Sequence, residues 1–81
     1  MDTRVAVISI IVEKEASVEP LNQLLHEYAS FVIGRLGIPY EKKAVNLICI
    51  AVDAPVDEIN ALTGALGRLD GITAKAAISG K

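Results

Sequence analysis

Eighty-one residues with a net charge of −2 bound the chain to one small domain, and Lys and Arg are not clustered as a nucleic-acid footprint requires. Hydrophobic residues make up 52% and mean hydropathy is +0.44, high for a soluble monomer, yet no apolar run reaches the roughly 18 residues that cross a bilayer. One cysteine, Cys49, excludes an internal disulfide and a multi-cysteine zinc site, and Tyr28, Phe31 and Tyr40 are too few for a base-stacking platform.

Arg4 to Glu13 reads as a first strand, β-branched and apolar on both faces: Val5, Val7 and Ile11 on one, Ala6, Ile8, Ile10 and Val12 on the other. Because Met1-Asp2-Thr3-Arg4 runs straight into this strand without a signal-peptide layout, a cytoplasmic location is expected. Ser17 is positioned to cap a helix with Pro20 in its first turn. Val18, Leu21, Leu25, Tyr28 and Val32 follow helical spacing, and the helix is predicted to end near Ser30 to Val32.

The following stretch, up to Ile38, carries Gly34 and Gly37, which suits an edge strand. Pro39 to Lys43 reads as a hairpin connection. Ala44 to Asp53 forms a third strand, apolar on both faces and stopped by Ala54-Pro55. A second helix is predicted from about Asp57 to Asp70, with Gly71 as its stop signal, and Ile72 to Ile78 forms a fourth, small-residue strand. The order β-α-β-β-α-β predicts an α+β fold: a single ferredoxin-like domain over 1–81, with a four-stranded antiparallel sheet in the order 4-1-3-2 and two helices on one face. Two helices cover one side of a sheet. The other side would carry apolar residues of the central strands, so a homo-oligomer (dimer or tetramer) closed through the sheet is expected.

The second helix contains a contradiction. Gly64 and Gly67 should each cost about 1 kcal/mol relative to alanine. On a helical wheel stepping about 100° per residue, Leu62, Leu66 and Leu69 cluster as a core stripe, while Asn60, Thr63, Gly64 and Gly67 form a smooth neighbouring flank. Either backbones approach closely there, or the flank is a groove for a partner subunit or small ligand, with Asn60 and Thr63 offering hydrogen bonds. Arg35, between permissive glycines, has the fork geometry that grips a carboxylate or phosphate, against the plainer reading of an exposed charge on a twisted edge strand.

Other residues carry plainer readings. His26 falls on the polar side of the first helix as a solvated residue, and Cys49 inside Leu47–Val52 reads as a buried small hydrophobe. Glu13, Glu15 and Glu19 read as solvated charge. One histidine and one strand cysteine make no metal site by spacing. No nucleophile, base and acid recur at catalytic spacing, so neither an enzyme nor a cofactor is expected.

Three segments together resemble the family of small iron-only hydrogenase system regulators: N-x-L-L-H (Asn22, Leu24, Leu25, His26), R-x-G-x-P (Arg35, Gly37, Pro39) and A-L-x-G-x-L-G (Ala61, Leu62, Gly64, Leu66, Gly67), closed by Gly71. The resemblance implies an ACT-like domain similar to the ligand-sensing C-terminal domain of the nickel-responsive repressor, and a regulatory role connected with [FeFe]-hydrogenase genes. The expectation is thus a non-enzymatic regulatory module that oligomerises, with a small ligand held between subunits. Candidate ligand positions are Arg35, the turn after the first strand, and the flank formed by Asn60, Thr63, Gly64 and Gly67. The alternatives are a protein-interaction adaptor without a ligand, or a metal sensor using His26 across a subunit interface; direct nucleic-acid and membrane contacts are not expected.

Overall fold

The computed structural model describes residues 2–81; Met1, included in the predicted domain and in the signal-peptide argument, lies outside the described residues. The elements follow the predicted order: β1 (Arg4–Val12), α1 (Val18–Glu27), β2 (Val32–Tyr40), β3 (Val45–Ala54), α2 (Val56–Gly67) and β4 (Ile72–Ile78). The strands align as β2-β3-β1-β4 with every neighbouring pair antiparallel, which is the predicted order read from the other edge.

The period-2 geometry of a strand sends alternate side chains to opposite faces, and β1 shows the consequence. Ala6, Ile8, Ile10 and Val12 are buried, whereas Val5, Val7 and Ile11 remain 39–42% exposed. Ile50, Val52 and Ala54 of β3 join the buried set, and Leu21 and Leu25 of α1 and Ile59, Leu62 and Leu66 of α2 close it from above. All the core therefore lies on one side of the sheet.

Four boundaries differ from expectation, each for a local reason. Helix α1 stops at Glu27, and Ala29–Phe31 forms a tighter three-residue turn. Three residues per turn still align Tyr28 with Phe31, so both rings pack against the core 6.5 Å apart, and the hydrophobic spacing survives the change of helix type. Strand β2 continues through Pro39 to Tyr40, since an edge strand tolerates a residue without an N–H. Ala44 takes a left-handed φ of 53° after the Glu41–Lys43 turn, which delays β3 to Val45. Helix α2 ends at Gly67; Leu69 N–H donates to the Leu66 carbonyl, tightening the exit, and the chain reverses at Gly71, where φ is 71°.

Ser17 does not cap α1. Its hydroxyl donates instead to the Asp70 carbonyl at 2.5 Å, and the residue is buried. Beside it, Glu13 N–H donates to the Gly71 carbonyl at 2.7 Å, and Lys14 Nζ pairs with Asp70 Oδ2 at 2.8 Å. These contacts clasp the turn after β1 to the turn before β4.

Candidate functional site

Register places the helix-free side of the sheet residue by residue. Val7 lies beside Ala51, Ser9 beside Cys49, and Ile11 beside Leu47 on β3. Across β3, Cys49 meets Leu36 and Leu47 meets Ile38, with Tyr40 opposite Val45. Leu36 is 60% exposed, and Val5, Ile33, Ile38, Tyr40 and Leu47 are exposed as well. A shallow depression of about 210 Å³ lies among Ser9, Ile11, Leu36, Ile38, Leu47 and Cys49. Only Asp53 and Lys75 bring charge to these rows, one at the end of β3 and the other on the β4 edge. The centre of the face is apolar and bare in the single chain. Cys49, expected to be buried, is exposed there, because it points away from the helices.

On the helix side, Arg35 pairs in register with the buried Ile50, so its side chain rises toward α1. Arg35 Nη2 donates to Asn22 Oδ1 at 2.8 Å. The two residues border a cavity of about 360 Å³ whose other walls are Leu25, His26, Ala29, Val32 and Ile50. A second depression of about 300 Å³ lies on the other side of Arg35, lined by Glu15, Val18, Gly37, Pro39 and Asn46 among others. Arg35 thus bridges a trough between α1 and the β2 edge. The structure brings together Asn22 and His26 with Arg35, two sequence segments that periodicity alone leaves unrelated.

The α2 flank is separate from this trough. Asn60 and Gly67 are exposed, Thr63 and Gly64 are half-buried, and none of them lines the Arg35 cavity. Thr63 Oγ1 donates back to the Ile59 carbonyl at 2.7 Å, so its proton serves its own helix. A methyl group added at Gly67 would meet nothing within 4 Å, and one at Gly64 would meet only the Arg68 guanidinium, at 3.4 Å. Close approach of backbones within the chain is therefore not what keeps these glycines.

The turn after β1, also a candidate, is occupied by its own clasp. Lys14, fully exposed, has its pKa raised by the hydrogen bond to Asp70 and then by the charge of that carboxylate. Among the described residues no group of three or more His, Cys, Asp or Glu side chains converges to hold a metal ion. No helix among them is long and apolar enough to cross a membrane.

Three comparisons bear on identity. The structure of the uncharacterized protein TM1266 from Thermotoga maritima superposes with a TM-score of 0.91 at 27% identity, covering 95% of this chain and 98% of that one. A formyltetrahydrofolate deformylase from Pseudomonas putida KT2440 shares the fold over 90% of this chain but 28% of its own length, with a TM-score of 0.65 and 9% identity. CPII, a nitrogen regulatory PII-like protein from Thiomonas intermedia K12 solved with ADP, AMP and bicarbonate, gives a TM-score of 0.51 and 19% identity over 99% of this chain and 100% of that one. These last two likenesses speak to the fold alone. No curated protein matches the chain. The TM1266-like family model, whose description reads "Iron-only hydrogenase system regulator, putative", matches residues 4–76. With its βαββαβ order, its sheet order and this match over nearly its whole length, the chain belongs to the TM1266-like family of iron-only hydrogenase system regulators.

Proposed function

We propose that the chain is a non-enzymatic regulatory module of an iron-only hydrogenase system, acting in the cytoplasm as a homo-oligomer joined through the helix-free face of its sheet. The observation that carries this reading is the exposure of Val5, Val7, Ile11, Leu36, Ile38 and Leu47 on one continuous face with charge only at its margin. Apolar surface of that extent on a small domain is favourable to bury and is typical of an interaction face. A second copy suits it because on this face the central strands β1 and β3 carry charge only at Asp53, at the end of β3, and Lys75 sits on the β4 edge, so two identical faces meet without opposing like charges along their central strands. The family description supports regulation rather than catalysis.

The test is a chromosomal Leu36→Asp replacement in the host. A charge within the apolar face, on the edge strand beside Cys49, removes the oligomer while leaving the core, on the opposite side, untouched. Hydrogenase transcript and activity levels are expected to match those of a deletion strain. Wild-type levels in the replacement strain, with the variant shown to be monomeric, would overturn the reading.

A further inference from the structure

We propose that the trough between α1 and β2 is a binding site for a small organic oxyanion, held at its head by Arg35, Asn22 and His26 and at its tail by the apolar floor. The cavity of about 360 Å³ lies within the size range of small-molecule sites and has their composition: a floor of Leu25, Ala29, Val32 and Ile50 and a few polar groups on one rim.

Arg35 is the centre of the argument. A guanidinium carries five N–H donors, and the bond to Asn22 Oδ1 uses one of them. Among the described residues no carboxylate pairs with Arg35, the one ion pair there being Lys14 with Asp70. The Asn22 bond fixes the guanidinium over the cavity while leaving donors for a bidentate partner. Asn22 also carries two amide N–H donors and borders the same cavity. His26, one helical turn after Asn22, borders the cavity from the same helix. Donors therefore collect at one end and apolar carbon at the other, which selects an oxyanion carrying a short hydrocarbon tail over a bare inorganic ion.

The neighbouring sequence keeps the trough open. Gly37, the next β2 residue on the helix side, would place a methyl group within 4 Å of nothing, so no side chain fills the space beside Arg35. Glu15 lines the adjoining depression on one side, and Glu19 and Glu27 line the one outside Asn22 and His26, so the donors of the trough are set between carboxylates and Arg35 is the cation that an anion meets there. The site does not use the open sheet face, so its failure and the failure of self-association are separately observable.

The experiment is a two-dimensional amide NMR titration of the full chain with butyrate, propylphosphonate and inorganic phosphate. Saturable shifts at Asn22, His26 and Arg35 are expected with butyrate or propylphosphonate, the stronger of the two identifying the head group, and weaker binding of inorganic phosphate. Arg35→Gln is expected to weaken binding about tenfold or more, since a charge-assisted bidentate contact is lost. Val32→Asn, which alters the floor, is expected to remove the preference for the tailed anions. Shifts unchanged in Arg35→Gln, equal binding of phosphate and propylphosphonate, or no saturable shift with any probe would overturn the proposal. Well-dispersed spectra of both variants show that any loss is not unfolding.

Discussion

Glycine positions separate what the fold needs from what it does not. Gly71 has φ of 71°, and a methyl group there would fall 2.5 Å from Lys14 Cγ. Replacing it by alanine combines a left-handed backbone with a clash, and is expected to cost about 1–2 kcal/mol or more in urea unfolding. Gly64 is the opposite case: it is helical, and a methyl group there touches only a mobile guanidinium. Gly64→Ala is therefore expected to stabilise the isolated chain by about 0.5–1 kcal/mol, and a loss instead would reveal a packing contact. Ser17→Ala removes the buried hydroxyl that holds the Asp70 carbonyl and is expected to lower stability by about 1 kcal/mol, read from the urea midpoint. The Lys14 pair beside it is exposed and screened; because its ammonium pKa is raised, its contribution is present at neutral pH and lost as pH climbs through that raised value.

At the scale of elements, strand content and order were legible because β1 and β3 are the most apolar runs, rich in Val and Ile, and their neighbours carry glycine or small residues. Boundaries were less legible. Ser17 has the residue type of a helix cap, but its hydroxyl is claimed by a carbonyl 53 positions away, a contact no local pattern announces. Cys49 was misjudged for a related reason: a strand apolar on both faces looks buried on both, and only the placement of both helices on one side shows which face is bare. Arg35 stood out in the sequence, yet its company of Asn22 and His26 depends on how α1 lies along the β2 edge. If two sheets meet face to face, Cys49 is shielded at their centre. A bulky maleimide is expected to label it at least tenfold more slowly in wild-type protein than in Leu36→Asp, and equal rates would place the contact elsewhere.

For the whole molecule, the decisive property is one-sidedness. Both helices and every core residue lie over one face of the sheet, while the opposite face offers Val5, Val7, Ile11, Leu36, Ile38 and Leu47 to solvent. The composition of 52% hydrophobic residues reflects central strands that are apolar on their exposed face as well as on their buried one. Sedimentation velocity on the wild-type chain at micromolar concentration tests this most directly. The account predicts a dimer or tetramer that Leu36→Asp converts to a folded monomer; a wild-type chain that sediments as a stable monomer across that range would contradict it.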